Sequence, residues 1–314
     1  MTATVGAMSS QNQHRLAPLI SICICSFNRA QSLRKTLESL QALSPIDAPY
    51  EILVIDNNSS DGTREVVDSF RERLPIRYQF EARQGLAHAR NRAIDEFRGE
   101  LLLFTDDDLS MDPQWLVEYL AAFRRFPDAA FFGGRILPAF ADGKPPWIGD
   151  RPLHLIDGLL GWYDLGEETR PFLPDDPLPF GASFAIARAT LARAPAFRTD
   201  LGAGMSAGRG EETEYLQRAR ASASSVYVGR ALNHHAVDVR RLTPGALFKY
   251  GIACGRSHNE IAATPHRGTL SSACWFLVAG FWQAMKGRGD YARQCLVNAG
   301  IEVGARAASR MAPL

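Results

Sequence analysis

From residue 19 to about residue 125 the chain alternates short apolar runs with segments of helical period, and this alternation limits the fold more narrowly than any other feature. Leu19 to Cys25, with Ile20, Ile22 and Ile24, reads as a first strand, closed by Ser26-Phe27-Asn28-Arg29. Ala30 to Leu43 carries Leu33, Leu37 and Leu40 at helical spacing and ends at Ser44-Pro45. Glu51 to Ile55 is a second strand, Thr63 to Arg73 a helix, and Ile76 to Phe80 a third strand. Gly85 to Arg98 is helical, with Leu86, Ala89, Ala93, Ile94 and Phe97 on one side and Gly99 as its stop. Asp112-Pro113 places an N-cap and an N1 proline ahead of Leu116, Tyr119, Leu120 and Phe123. Strand and helix in strict turn predict an α/β fold, a mostly parallel sheet with right-handed crossovers.

The fourth strand carries the chemistry. Leu101-Leu102-Leu103-Phe104-Thr105 runs without polar alternation into Asp106-Asp107-Asp108. Such a run is a strand buried on both faces, and its carboxyl end is where open α/β sheets bind ligands. If the extended conformation continues, Asp106 and Asp108 share a side. Two carboxylates so placed repel by about 3 kcal/mol at an effective dielectric near 20. A hard divalent cation, Mg²⁺ or Mn²⁺, removes that repulsion, with phosphate oxygens completing its shell. Taken alone, the triplet is equally readable as a solvated acidic turn that caps the next helix.

The 314 residues are 46% hydrophobic and 22% charged, enough apolar material for a large core. Net charge is +1, so nothing global points to nucleic acid. From Arg240 to Leu314 there are ten Lys/Arg against three Asp/Glu, which makes the last quarter basic. Five cysteines without a CxxC pair indicate reduced thiols and a cytoplasmic protein. Met1 to Ala17 is polar, lacks an apolar signal core and reads as a disordered leader.

Beyond the alternating part, a strand is expected around Ala129 to Ile136, and residues 137–179 are rich in Pro, Asp and Gly, with Trp147, Trp162 and Tyr163 among them. Phe180 to Ile186 reads as a strand, Glu211 to Ala221 as a helix, and Val226 to Val228 as a short strand before His234-His235. Residues 270–285 contain Trp275, Phe276, Leu277, Val278, Phe281, Trp282 and Met285, followed by Lys286 and Arg288. This stretch falls short of the roughly 20 apolar residues of a membrane span. It suits a helix lying on an anionic bilayer, or equally one packed on the preceding α/β domain or on a second subunit.

Five segments in this order resemble the inverting family-two glycosyltransferases: Ser21 to Arg29, Val54 to Thr63, Gly85 to Asn91, Leu103 to Asp108, and Gly210-Glu211-Glu212-Thr213-Glu214 with Arg218. The resemblance implies a single Rossmann-like nucleotide-diphospho-sugar transferase domain over residues 18–238, with a helical basic extension over 239–314. It implies a nucleotide-diphosphate sugar as donor and a saccharide or glycolipid as acceptor. Ser26, Phe27, Asn28 and Arg29 would then line the nucleotide pocket. Asp56, Asn58, Gly85, Arg90, Asn91, Asp106 and Asp107 would also meet the donor. Asp106 and Asp108 match the metal-binding pair, and His234 matches a histidine that follows a late strand. Glu212 matches the catalytic base, where the family more often has Asp after Glu, and Glu211 is its rival. Chemically, a bound cation stabilises the departing diphosphate and one carboxylate on the opposite face deprotonates the acceptor hydroxyl, a single displacement with inversion.

Each assignment has a plainer reading. Asp56 and Asp61 are turn-forming types, Glu211, Glu212 and Glu214 suit the acidic first turn of a helix, and His234, Trp147 and Trp162 suit packing. Other functions also remain. A nucleotidyltransferase of similar fold would want a Gly-rich basic loop after the first strand, and Ser26-Phe27-Asn28-Arg29 is neither. A phosphatase with an Asp nucleophile would want a partner Lys and later acidic ligands. A non-catalytic sugar-nucleotide-binding protein would have no need of the intact acidic triplet.

Overall fold

The computed structural model describes residues 19–141, 143–148, 157–205, 209–221, 223–261, 268–287 and 289–311. The expected leader at 1–17 and Arg288 lie outside the described residues. Strands β1 (Ile20–Ser26), β2 (Tyr50–Asp56), β3 (Ile76–Phe80) and β4 (Leu101–Asp106) form a parallel block in the order β3-β2-β1-β4. Helices α1 (Ala30–Gln41), α2 (Thr63–Asp68) and α3 (Leu86–Glu96) connect them. Strand period sorts their side chains between two cores. Ile22, Ile24, Ile52, Val54, Leu101 and Leu103 face one core, which also holds Leu33 and Leu37 of α1. Cys23, Leu53, Ile55, Leu102 and Phe104 face the other, with Ala87, Ala89 and Ala93 of α3. Burial on both sides explains why these runs show no polar alternation.

Beyond β4 the sheet becomes mixed. After β5 (Leu109–Met111) and α4 (Trp115–Arg125) come β6 (Phe131–Ala139), α5 (Asp157–Leu160), β7 (Thr169–Pro171) and β8 (Ser183–Ala187). Helix α6 (Glu211–Arg220) and β9 (Ser225–Ala236) complete the sheet, whose order is β3-β2-β1-β4-β8-β6-β9-β5, with β7 on β9. β8 runs antiparallel to both β4 and β6. Local pattern does not reveal that reversal, because pairing between distant segments leaves no trace in periodicity.

Several boundaries differ from the sequence expectation. The helix expected over Thr63 to Arg73 is regular only to Asp68; Ser69 then donates its hydroxyl to the Val66 carbonyl at 2.7 Å and the chain goes on in tighter turns. Asp112 does cap a turn, accepting from the Gln114 amide at 2.8 Å, but α4 begins at Trp115. β4 ends at Asp106, so the extended run does not continue through Asp107 and Asp108. The short strand expected at Val226 to Val228 is part of the 12-residue β9, which contains His234 and His235 within it.

After β9 come α7 (Pro244–Ile261), α8 (Leu270–Met285) and α9 (Gly289–Met311). α7 and α9 meet backbone to backbone. A Cβ at Gly251 would lie 2.1 Å from the Val297 carbonyl oxygen, and one at Gly304 would lie 2.1 Å from that of Ile252. Only glycine permits that approach. No helix among the described residues is long and apolar enough to cross a membrane.

Candidate active site

The carboxyl ends of β1, β2 and β4 converge, and polar side chains fasten their loops. Ser26 donates its hydroxyl to Asp107 at 2.6 Å. Asp56 is buried with both oxygens engaged: Tyr78 donates to one at 2.7 Å and the Ser59 amide to the other at 2.8 Å. Asn57 spans three segments, donating to the Arg83 carbonyl at 2.7 Å and accepting from the Gly85 amide at 2.8 Å. Asp61 accepts from the Ala30 amide at 2.9 Å and from the Thr63 amide at 3.1 Å, so one carboxylate serves the starts of α1 and α2. Partial burial pushes its carboxyl up, but the bonds from Thr63 and Ala30 outweigh this and hold it below the usual range. Asn28 and Asn58 both adopt positive φ, 52° and 67°, and the Ser60 amide donates to Asn28. Asn91 exchanges hydrogen bonds with the backbone of Phe197 at 2.7 and 2.9 Å. These residues order the site from beneath. Phe27, just past the end of β1, is an aromatic side chain 44% exposed.

The acidic triplet turns at the end of β4, and its members separate. Asp107 is buried, takes the Ser26 hydroxyl and pairs with Arg29 Nη1 at 3.0 Å. Burial pushes it up to about 7 in spite of Arg29. Asp108 pairs with Arg29 Nη2 at 2.7 Å and lies 3.6 Å from His235 Nε2. Burial opposes its charge, but His235 and Arg29 prevail and hold it at about 2. Asp106 is raised by burial and by Asp108, and among the described residues no side chain hydrogen-bonds its carboxylate.

The histidine beside the acids is His235, one residue on from the His234 expected. Alternation along β9 decides this: Leu109 faces His235 and Ser110 faces His234 in the β5 pairing. His235 Nδ1 meets the Leu160 carbonyl at 3.0 Å. A Cβ at Gly161 would lie 2.5 Å from the imidazole, so that turn admits the ring only with glycine there.

Glu211 and Glu212 open α6 and occupy different environments. Glu211 is 3% exposed and hydrogen-bonds Arg90, itself 2% exposed and set among the rings of Phe104, Phe184 and Phe197. Burial, then the neighbouring Glu212, push Glu211 up to about 7 against the pull of Arg90. Glu212 lies 4.0 Å from Arg90 and is 18% exposed. Glu212 borders a cavity of about 500 Å³ that is also lined by Glu211, Arg90, Asp106, His235, Arg209 and Phe180. Tyr250, Cys254, Ser257 and His258 of α7 form the cavity's far wall. Arg209 lies 4.7 Å over the Tyr250 ring and donates to the Gly158 carbonyl at 3.4 Å. Asp108 instead borders a second hollow of about 880 Å³ with Arg29, Lys35 and His234. The turn carrying Asp106 and Asp108 thus separates the two.

Among the described residues no three His, Cys, Asp or Glu side chains gather closely enough to hold an ion unaided. Asp106 and Asp108 offer hard oxygens at the strand end, and a Mg²⁺ or Mn²⁺ shell completed by phosphate and water needs no third side chain. In oxygen chemistry the two carboxylates suit such an ion, although each borders a different hollow. Arg29 occupies Asp108 in this structure, a cation in the place where the metal's charge would act.

The sequence and the fold have known relatives. Residues 21–193 match the model of glycosyl transferase family 2. The chain belongs to that family. It is 36% identical over 102 residues to glycosyltransferase AglE of Haloferax volcanii, a stretch covering 32% of this chain and 33% of that protein. The chain thus matches about a third of that curated relative's length. In solved structures the fold is similar to TarS 1–349 of S. aureus, with TM-score 0.56 and 16% identity over 93% of this chain and 91% of that one. It is also similar to the mannosyltransferase PcManGT from Pyrobaculum calidifontis in complex with GDP-Man and Mn²⁺, with TM-score 0.55 and 17% identity over 96% and 77% of the two chains.

Sequence reasoning missed Arg209, the role of His235 next to Asp108, and the α7 wall. A period-two count along β9 separates the two histidines onto opposite sides but does not say which side holds the acids. Nothing local marks Tyr250 or Cys254, because α7 reaches the cavity through tertiary packing against Arg209, Gly158 and Gly210.

Proposed function

We propose that this chain transfers a sugar from a nucleotide-diphosphate sugar to a hydroxyl of a saccharide or lipid-linked acceptor, with inversion. One observation carries the reading: Glu211 and Glu212 both border the cavity that Asp106, His235 and Arg209 line, but Glu211 is buried and hydrogen-bonded to Arg90, while Glu212 is the more exposed of the two and lies 4.0 Å from that arginine. Glu212 is the general base that takes the acceptor hydroxyl proton. Glu211 and Arg90 fix the first turn of α6, so the base is presented by a rigid element. Arg209 and His235 supply positive charge where the diphosphate departs, in a partly buried setting that strengthens it. The outward face of Phe27 offers a surface for the base of the nucleotide.

A divalent cation, when bound, would neutralise charge on the leaving diphosphate, and Asp106 and Asp108 would hold it. Arg29 would then release Asp108 and remain near the phosphates. The family and the Mn²⁺ and GDP-Man of the Pyrobaculum structure support this reading.

The test is a panel of nucleotide sugars, scored by thermal protection and by release of nucleoside diphosphate, with and without a chelator. At least one donor is expected to protect the protein with Mn²⁺ or Mg²⁺ present. Asp108→Asn is expected to lose that protection while keeping its unfolding transition. Full turnover in the chelator would remove the metal from the proposal, and protection by no nucleotide sugar would remove the donor.

A further inference from the structure

Among the described residues, nothing covers one face of the three C-terminal helices. α8 (Leu270–Met285) has no Asp, Glu, Lys or Arg over its 16 residues. It leans on α9 through its small side chains: Ala273 is buried, and a Cβ at Gly280 would lie 3.1 Å from Cys295 Cβ. The large residues turn the other way, with Trp275 64%, Phe281 65% and Trp282 56% exposed. At 100° per residue, the exposed side chains from Leu277 through Leu270, Phe281, Met285, Val278 and Trp282 to Trp275 span an arc of about 160°. Ser271 and Cys274 are the polar or weakly polar groups within it. Trp275, Phe281 and Trp282 therefore lie largely outside the core formed by the described residues, and an exposed apolar patch of this kind marks an interaction surface.

We infer that this face seats the protein on an anionic phospholipid bilayer, α8 lying in the plane of the interface. Charge complementarity selects a lipid surface as the occupant. No acidic residue lies on α8, and Lys286 follows its last turn with Nζ 5.8 Å from the centre of the Trp282 ring. The sequence from Arg240 onward carries ten Lys/Arg against three Asp/Glu. Two tryptophans on the same flank of the arc suit the headgroup level, where their rings are half apolar and half polar. At 1.5 Å per residue the helix is about 24 Å long, too short for a bilayer core of about 30 Å, so it lies on the membrane and does not span it. Beneath it, the α7–α9 glycine seam gives a stiff support, and the other side of α7 walls the Glu212 cavity. The surface is independent of the proposed activity, since it involves none of the site residues.

The test is co-sedimentation of the full chain with vesicles of phosphatidylcholine alone or mixed with phosphatidylglycerol, read together with tryptophan fluorescence and light scattering. The parent is expected to pellet with the mixed vesicles, with a blue-shifted emission, and to be released by salt. Trp275→Ser combined with Phe281→Ser is expected to lower partitioning about tenfold or more, and Lys286→Glu about fivefold or more. These side chains are exposed, and an unchanged thermal transition checks that each variant is folded; Trp282→Ser alone serves if the double variant is not. No pelleting by the parent overturns the inference. So does equal pelleting with phosphatidylcholine alone, which removes the anionic component. A parent that self-associates without binding vesicles, and becomes monomeric in the double variant, assigns the face to a second copy instead.

Discussion

Adjacent carboxylates, Glu211 and Glu212, are one position apart in sequence and do different things. Glu212→Gln keeps the shape and removes the proton acceptor, so transfer is expected to fall by roughly 10²–10⁴-fold with donor affinity nearly unchanged. Glu211→Gln is expected to slow transfer less, and equal or greater damage from it would move the base one residue back. Glu211→Leu is a different experiment. It removes the carboxylate that hydrogen-bonds buried Arg90, leaving Glu212 at 4.0 Å as a weaker partner, and is expected to lower stability by about 3 kcal/mol in chemical denaturation. Glu211 also gives a pH signature. Its folded value is about 7, above the ordinary carboxylate value, so the folded state holds the proton over a window where the unfolded chain has lost it. Its contribution to stability is complete below about pH 4.5, falls as pH rises through about 7, and is level above that. Asp107, also near 7, adds a change of the same sign. Urea midpoints measured across this window are expected to fall less steeply in Glu211→Gln than in the parent; parallel slopes would mean Glu211 titrates normally. The sequence could not separate the two residues. Successive helical positions differ by about 100°, and which of them is buried depends on Arg90, 121 residues earlier.

Among the elements, the four parallel strands and their helices were legible because each run obeys its own period and both faces of the sheet are covered. The antiparallel half was not, since the β8 pairings to β4 and β6 join segments with no shared local pattern. The same division holds in the candidate site. The acidic triplet and the Asp56–Thr63 turn stand out in sequence, yet the turn's residues proved to be occupied with one another. Asp56 binds Tyr78 and Ser59, and Asp61 serves two helix starts. Asp61→Ala is therefore expected to cost about 1–2 kcal/mol of stability, measured by denaturant unfolding, at the usual scale for a helix cap. No change would reduce Asp61 to a surface carboxylate. The glycine seam makes the complementary case for α7 and α9. Gly251→Ala sets a methyl 2.1 Å from the Val297 carbonyl oxygen, and main chain cannot give way as a side chain can. The two helices are expected to separate, with a loss of about 1–3 kcal/mol, the usual scale of overpacking.

In the whole molecule, the C-terminal helices meet the sheet domain over an apolar cluster that includes Ile148, Leu160, Val237, Leu247 and Val297, and one polar contact beside it, Arg209 over Tyr250, borders the candidate site. Arg209 precedes α6, and Tyr250 belongs to α7, the helix that closes the far side of the Glu212 cavity. The C-terminal helices are thus part of the candidate site, which a domain boundary drawn near residue 238 would not suggest. Arg209 has the charge to meet a departing diphosphate, and the Tyr250 ring holds its guanidinium in place. A cation–π contact of this partly buried kind is worth about 0.5–2 kcal/mol, which corresponds to roughly 2–30-fold in rate if expressed in the transition state. Tyr250→Ala is accordingly expected to lower kcat by about tenfold. KM for the acceptor should move less, because Arg209 acts on the leaving group. Tyr250→Phe keeps the ring and is expected to stay close to the parent, since the contact needs the π face and not the hydroxyl. A matching loss in Tyr250→Phe would place the effect in the hydroxyl, which lies 2.7 Å from where a Cβ at Gly158 would stand, and would make Tyr250 a packing residue of the cavity wall. A loss confined to KM in Tyr250→Ala would instead assign the α7 wall to holding the acceptor, with Arg209 needing no support from it.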